Sequence, residues 1–219
     1  DKKIKIGTFL HAGFNTERFK PGQEPELRKQ LGLESKTVFL FVGALGYRKG
    51  IHIALKSLAK LKLENPAIHF IVVGDGEYKE ELLQIIKDLG VEKEVTLIPW
   101  INNEKLPAIY RCADIFLYPS IPYQGWEEQF GYSIAEASLC GLPVISTESG
   151  SIYEVLLKDE TGFLVKPNDE EALTGAMRLL MRDKSLREKM GSRGRDFIIP
   201  NYGNKIIASK MYQLLKSLG

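Results

Sequence analysis

Unbroken apolar segments of strand length, each followed by a glycine, limit the folds available to this chain more than any other feature. Thr37–Val42 and Ile68–Val73 are rich in β-branched and aromatic residues, and a glycine follows each. Such runs are typical of strands buried on both faces, as in parallel sheets. Between them, Gly50–Leu63 carries apolar residues at helical spacing. The pattern therefore predicts strand–helix–strand units around a parallel sheet.

The same alternation continues to the end of the chain. It predicts a first strand at Ile4–Leu10 and later strands at Val95–Ile98, Ile115–Tyr118, Pro143–Ser146 and Gly162–Val165. It predicts intervening helices at Glu26–Leu31, Tyr78–Leu89, Leu106–Cys112 and Ser133–Leu139, and two or three helices at the end. The expected fold class is α/β, a doubly wound, Rossmann-like parallel sheet of about six strands flanked by helices. Ligands of such sheets bind at the carboxyl ends of the strands.

Composition and charge exclude several function classes. The 219 residues contain 30 Lys and Arg and 28 Asp and Glu, so the net charge of +2 argues against a nucleic-acid binder held by excess charge. The two cysteines, Cys112 and Cys140, exclude a disulfide framework and favour a reducing compartment, which we expect to be the cytoplasm. The longest apolar runs have only strand length, so no membrane span is expected.

Two glycine-containing loops follow the first two buried strands. Gly43 and Ala44 open the first loop, and Arg48 and Lys49 lie at the start of the next helix. A helix start with two cations favours the binding of a diphosphate. The alternative is a tight turn with two solvated cations. Gly74 opens the second loop, Gly-Asp-Gly, which lacks the third glycine of a dinucleotide fingerprint. Its alternative is a turn capped by an aspartate before a helix.

Two carboxylates flank the start of a predicted helix in the second half of the chain. Glu128 precedes Gly131, and Glu136 lies one to two turns into the helix. Carboxylates repel phosphates but accept hydrogen bonds from sugar hydroxyls. The helix start itself favours an anion. The pair therefore indicates a sugar on one side, a ribose on the other and phosphates between them. The alternatives are a carboxylate stabilised by the helix dipole for Glu128 and a solvated position for Glu136.

An ordered set of motifs carries a family resemblance. Glu128 and Glu136 have the spacing E-x7-E, and further motifs occur at Gly13–Pro21, Phe41–Leu45 with Lys49–Gly50, Val73–Gly76, Ala113–Ser120, Gly141–Ile145 and Thr161–Val165. In order and spacing they resemble the carboxyl-terminal, donor-binding domain of glycosyltransferase family 4 (group 1), which has the GT-B fold. The resemblance covers nearly the whole chain. It implies an interdomain crossing segment at 1–25, a donor-binding domain at 26–200 and a carboxyl-terminal helix at 201–219.

The resemblance also implies roles for individual residues. Lys49 is expected to bind the donor diphosphate and neutralise the leaving group, and Glu128 to hold the donor sugar. Glu136 is expected to hold the ribose hydroxyls. The remaining donor-site positions that it implies are Gly43, Ala44, Gly74, Trp100 at the base, Gln129, Phe130 and Gly131 at the sugar, and Tyr132 and Ser133 at the phosphates.

One departure from the family concerns the diphosphate site. Relatives usually have arginine where Ala44 stands, and we hypothesise that Arg48 takes its place as a catalytic cation. The resemblance implies transfer with retention and without a metal or other cofactor. The sequence agrees on the metal, because it has no Asp-x-Asp pair and His11, His52 and His69 are scattered.

The expected function is that of the donor half of a glycosyltransferase that uses a nucleotide-diphosphate sugar. Its expected partner is an amino-terminal, acceptor-binding domain, so this chain alone is expected to bind the donor and to transfer poorly. A peripheral membrane contact through the basic stretch Arg178–Arg195 is the less expected alternative to a solvated helix face. Alternatives for function are a non-catalytic nucleotide-sugar-binding module, a nucleotide-sugar epimerase and an NAD-dependent oxidoreductase.

Overall fold

The structure, a computed structural model, describes residues 13–218 and consists of one parallel sheet between layers of helices. The strands are β1 Thr37–Val42, β2 Ile68–Val73, β3 Val95–Ile98, β4 Ile115–Tyr118, β5 Val144–Thr147 and β6 Gly162–Val165. In the described sheet they lie in the order β3-β2-β1-β4-β5-β6, and every pairing is parallel. The predicted fold class is confirmed. The predicted strand Ile4–Leu10 lies outside the described residues.

Helices follow the strands as the periodicity predicts. They are α1 Pro25–Gln30, α2 Ile51–Glu64, α3 Lys79–Asp88, α4 Leu106–Arg111, α5 Tyr132–Leu139, α6 Glu170–Arg182, α7 Lys184–Tyr202 and α8 Asn204–Leu218, with 3-10 turns at Tyr47–Lys49 and Ile152–Glu154. The ends predicted for α1 to α5 are correct to within one residue, whereas α8 begins three residues after the predicted start of the carboxyl-terminal helix at 201. Pro200 lies inside the last turn of α7, so a boundary after residue 200 falls within that helix. The division of the chain into domains stays a prediction.

The core lies on both faces of the sheet, which explains the unbroken apolar runs. Every residue of β2 is buried, and so are five of the six residues of β1. The strand order reverses between β1 and β4, because β2 lies on one side of β1 and β4 on the other. In doubly wound sheets a crevice opens at the carboxyl ends of the strands at such a reversal. The loops after β1 and β4 therefore border the expected ligand site.

Backbone hydrogen bonds join the loops at this edge of the sheet. The amide of Gly43 donates to the carbonyl of Val73 (3.0 Å), and the amide of Leu45 donates to that of Asp75 (2.9 Å). Gly74 has a φ of +148°, and an added Cβ would overlap the carbonyl oxygen of Gly43, so only glycine fits there. Among the described residues no side chain caps α3; Asp75 instead pairs with Lys79 (3.1 Å). The alternative of an aspartate cap was therefore wrong.

Candidate functional site

A buried cluster of Lys49, Glu128 and Tyr118 lies at the carboxyl ends of β1 and β4. Lys49 Nζ donates to Glu128 Oε2 (2.5 Å) and to the phenol oxygen of Tyr118 (2.5 Å), and Tyr118 donates to Glu128 Oε2 (2.8 Å). Only 6% of Lys49 and 8% of Glu128 is exposed. Two sequence-predicted residues that are 79 positions apart are thus in direct contact.

Burial governs the electrostatics of this cluster. It lowers the pKa of the Lys49 ammonium, and the neighbouring charge of Glu128 acts in the opposite direction. Burial also raises the pKa of the Tyr118 phenol well above its ordinary value. An ion pair in so dry an environment holds a fixed geometry, because each charge has lost its water and depends on its partner. The pair carries no net charge when both groups are ionised.

Arg48 and Trp126 form a second contact at the edge of this cluster. The guanidinium carbon of Arg48 lies 3.4 Å from the centre of the Trp126 ring, and Lys49 Nζ lies 5.2 Å from the same centre. Within the described part of the chain, Arg48 Nη1 is buried and has no hydrogen-bond partner. The two cations thus lie near the same ring, and the charge of Arg48 acts to lower the pKa of Lys49.

Glu136 lies further along α5, beside a buried tyrosine. The phenol of Tyr110 donates to Glu136 Oε2 (2.8 Å). Burial raises the pKa of the Glu136 carboxyl to about 7, although the hydrogen bond from Tyr110 and the nearby charge of Arg18 both act to lower it. The carboxylate is held in place rather than freely solvated, so the alternative of a solvated helix position was wrong.

The start of α5 connects the two carboxylates. Gly131 precedes the helix with a φ of +79°, a conformation that glycine adopts without strain. The side chain of Ser133, in the first turn, forms a hydrogen bond with Tyr118 that acts to lower the pKa of that phenol. The carbonyl of Ser133 accepts a hydrogen bond from the phenol of Tyr110 (3.4 Å). The positive end of the helix dipole thus lies between Glu128 and Glu136. That an anion binds at this helix start stays a prediction.

The other predicted site residues have different environments. Gln129 and Ala44 are exposed, whereas Phe130 is buried and stacks on Phe14 with ring centres 6.1 Å apart. Tyr132 is half-exposed. Trp100 follows β3 and is 60% exposed. Because β3 is the outermost strand on its side, Trp100 stands three strand spacings from β4, roughly 14 Å in a sheet of ordinary geometry.

Sequence reasoning missed the residues that hold the predicted ones in place. Tyr118 and Tyr110 each bond a site carboxylate, and Arg18 lies near Glu136. Tyr118 is the last residue of an otherwise apolar strand and ends at the ligand edge, a signal that could have identified it. Trp126, in the loop after β4, is a further contact of this kind, because the Arg48 guanidinium stacks on its ring.

Most of the basic stretch Arg178–Arg195 has structural partners. Arg178 and Arg182 bind Glu64, Arg187 donates to the carbonyls of Leu180 and Met181, and Arg195 donates to those of Phe19 and Leu139. Lys189 and Arg193 are exposed. In residues 13–218 no helix is long and apolar enough to cross a membrane.

The described residues contain no group of three or more side chains of the kinds that bind metal ions. His52 stacks on Tyr47 with ring centres 4.7 Å apart, and His69 shares a hydrogen bond with Thr96 (2.8 Å). Burial lowers the pKa of both imidazoles to about 4. Both histidines are therefore neutral parts of the packing at neutral pH.

The known proteins that resemble this chain include several glycosyltransferases. The family model described as "Glycosyl transferases group 1" matches residues 23–197. A GDP-mannose-dependent α-(1-6)-phosphatidylinositol monomannoside mannosyltransferase of Mycolicibacterium smegmatis is 31% identical over 94% of this chain and 55% of its own length. A D-inositol 3-phosphate glycosyltransferase of Corynebacterium jeikeium is 32% identical over 82% of this chain and 44% of its own. The chain thus spans about half the length of these curated relatives.

Solved structures agree with the fold. Anabaena HepE in complex with UDP-glucose superposes with a TM-score of 0.85 at 27% identity, over 94% of this chain and 56% of that one. The carboxyl-terminal domain of the Francisella tularensis group 1 glycosyltransferase LpcC superposes with a TM-score of 0.77 at 25% identity, over 88% of this chain and all of that domain. Since the family model alone covers most of the chain, the chain belongs to the group 1 glycosyltransferase family.

Proposed function

We propose that this chain is the donor-binding domain of a glycosyltransferase and takes a nucleotide-diphosphate sugar at the carboxyl edge of its sheet. The observation that carries the proposal is the placement of Lys49, Glu128 and Glu136 around the start of α5. It supplies a cation, a helix dipole and two oriented carboxylates, which suit phosphates and sugar hydroxyls respectively. The UDP-glucose complex of the similar HepE supports the ligand class.

In this proposal the donor lies across the edge of the sheet. Glu128 and the backbone of the following three residues hold the donor sugar, and Glu136 holds the ribose hydroxyls. Lys49 and Arg48 bind the diphosphate beside Tyr132 and Ser133. The base extends past Gly43 and Gly74 to the loop that carries Trp100. The loop after β3 lies three strands away from β4, so a base bound at that loop is well separated from a diphosphate bound near β4. This separation supports the proposed direction of the donor along the sheet edge.

In the chemical step, the two cations stabilise the leaving diphosphate. The bond between the anomeric carbon of the sugar and the diphosphate oxygen breaks, while the acceptor oxygen bonds to that carbon. The electron pair stays on the diphosphate, which takes up the acceptor's proton. Preorganised charges at the place where negative charge develops lower the barrier. Lys49 and Arg48 supply those charges, so we propose that transfer needs no metal or other cofactor. We also propose retention of the anomeric configuration, on the ground of the family resemblance alone.

The rest of the assembly is proposed on the same basis. An amino-terminal domain supplies the acceptor site, in keeping with relatives about twice as long as this chain. The two buried free cysteines support a cytoplasmic location. A peripheral contact with anionic lipid would involve the exposed Lys189 and Arg193. Sedimentation with phosphatidylserine vesicles tests that contact, and Lys189→Glu with Arg193→Glu should abolish it.

Calorimetric titration of this chain with UDP, GDP, ADP and their common sugar conjugates tests the donor site. We expect selective binding of one nucleotide and at least about a tenfold loss of affinity in Lys49→Ala and in Glu136→Ala, since each removes a charged hydrogen-bond partner. Lys60→Ala and Glu160→Ala, on the surface, serve as matched controls and should bind as the unmodified chain does. Binding by none of the nucleotides, or binding that both site variants retain, would overturn the proposal.

A further inference from the structure

The contact between Arg48 and Trp126 has a geometry that loop packing alone does not require. A guanidinium 3.4 Å from the ring centre is in full face contact with the indole. Yet Nη1 of the same guanidinium is buried and, among the described residues, has no hydrogen-bond partner. Buried N–H groups of folded proteins are almost always paired. Arg48 as a whole is only half-buried, so a ligand oxygen can approach its guanidinium and supply a partner.

The charge of the neighbouring groups points to an anionic ligand. Lys49 is already paired with Glu128 at 2.5 Å, so these two charges balance each other. Arg48 is the adjacent cation that this pair does not neutralise, and its charge acts on the pKa values of both Lys49 and Tyr118. Ala44, in the same loop, carries no charge. Arg48 is therefore a cation that can bind an anionic ligand at this point of the site.

Both partners of the stack are fixed by the backbone. The carbonyl of Arg48 accepts hydrogen bonds from the amide of Ile121 (2.8 Å) and from Ser120 Oγ (3.1 Å). Trp126 closes a tight turn with Tyr123, in which each amide donates to the other's carbonyl (3.0 and 2.9 Å). The loop after β4 therefore anchors the arginine at its backbone and presents the indole to its side chain.

We propose that Trp126 is a positioning residue: its ring holds the Arg48 guanidinium beside the Lys49–Glu128 pair, where the guanidinium donates a hydrogen bond to a diphosphate oxygen. The indole does not touch the ligand and acts through the arginine. Without the ring, the long arginine side chain is free to adopt other rotamers, and ordering it on binding costs entropy. This inference rests on the proposed function, because it assumes a nucleoside diphosphate in the site.

The test separates the phosphate contribution from the rest of the ligand. For UDP, GDP and ADP, the dissociation constant of each is compared with that of the matching nucleoside. For the nucleotide that binds, we consider the dissociation constant of the nucleoside divided by that of the nucleoside diphosphate. Trp126→Ala should reduce this ratio about fivefold, and Arg48→Ala should reduce it at least about tenfold. The double variant should lose no more than Arg48→Ala alone. Tyr212→Ala, which removes an exposed ring on α8, is the matched control.

The possible outcomes distinguish the two proposals. If the unmodified chain binds no nucleotide, the proposed function fails and this inference fails with it. Two results would overturn only the inference, provided that the chain binds a nucleoside diphosphate. One is that Trp126→Ala leaves the ratio unchanged, and the other is that the double variant loses more than Arg48→Ala alone. Should Trp126→Ala not fold, Trp126→Leu, which keeps apolar bulk but removes the aromatic face, decides the question in the same way.

Discussion

At the scale of single residues, the strongest constraint is that Lys49 and Glu128 are both buried and serve as each other's charge partner. Removing one charge of such a pair leaves the other unpaired away from water. We expect Glu128→Gln to lower the free energy of unfolding by about 3 kcal/mol. Adding Lys49→Met should restore part of the loss. Urea unfolding at neutral pH measures both effects.

An exposed ion pair provides the control for this prediction. Lys158 and Glu148 lie 2.8 Å apart, and about half of each side chain is exposed. Water and salt screen such a pair, so Glu148→Gln should change stability little. If Glu128→Gln proved no more costly than Glu148→Gln, the buried pair would not have the energetic role that its geometry indicates.

Glu136 gives a second prediction, about pH. Its pKa is about 7 in the folded chain, because of burial, against an ordinary value of 4.5. The folded state thus holds the proton more tightly than the unfolded state between these values, so this group's contribution to stability falls as pH rises from about 4.5 to 7. We expect the difference in unfolding free energy, unmodified chain minus Glu136→Gln, to decrease over that interval. Urea unfolding at several pH values measures it.

The use of a difference curve matters because other groups act in the opposite direction. The pKa values of His52 and His69 are lowered to about 4 by burial, so their contributions to stability rise as pH rises from about 4 to 6.5. These contributions are common to both chains and cancel in the difference. A difference that stayed flat from pH 5 to pH 7 would contradict the environment described for Glu136.

How far single residues can be predicted depends on whether their signal is local. Lys49, Glu128 and Glu136 stand out because charged groups at strand ends and helix starts are visible in the sequence itself. Tyr118 meets Lys49 across 69 positions, and Trp126 meets Arg48 across a separate loop. The position of Tyr118 at the end of an apolar strand indicates a place at the ligand edge, but the partners of both aromatic residues depend on how two loops pack there, which the local sequence does not show.

At the scale of elements, the loop after β4 closes over the start of α2, and Gly50 is the point of contact. Gly50 has a φ of +66°, and an added Cβ would overlap the carbonyl oxygen of Pro119. Gly50→Ala should therefore combine backbone strain with a clash and cost more than about 3 kcal/mol of unfolding free energy. Thermal and urea unfolding test this, and nucleotide affinity should fall as the loop moves.

Gly32 offers a matched control for the clash. Its φ of +64° is nearly the same, but nothing lies within 4 Å of an added Cβ. Gly32→Ala should cost only the backbone strain, about 1 kcal/mol. If Gly50→Ala and Gly32→Ala lost equal unfolding free energy, the loop after β4 would move away from an added Cβ at little cost. The fixed geometry argued for Arg48 would then lose its support.

The elements themselves were predictable for a physical reason. Strands buried on both faces need continuous apolar runs, and glycines end them where the chain turns sharply, so β1 and β2 were found to the residue. Helix ends were less well defined. α5 begins one residue before its prediction, at Tyr132, because the turn is made at Gly131. α7 continues through Pro200.

At the scale of the whole molecule, the chain matches about half the length of its curated relatives. The described residues bring Lys49, Glu128 and Glu136, the groups of the proposed donor site, to one edge of the sheet. Transfer requires the acceptor hydroxyl to be held against the donor, and correct positioning is worth many orders of magnitude in rate. Donor binding and transfer should therefore separate in this chain.

The last prediction compares this chain with a longer protein that also contains the remaining part of the relatives' length. Both should bind the same nucleoside diphosphate with similar affinity, because the proposed binding groups all lie on this chain. Transfer from a radiolabelled nucleotide sugar to the acceptor should be roughly a thousandfold slower with this chain alone. Lys49→Ala in the longer protein should abolish transfer and serves as the control for the donor site. Equal transfer rates for the two proteins would show that this domain positions the acceptor by itself, and its carboxyl edge would then have to contain an acceptor site as well.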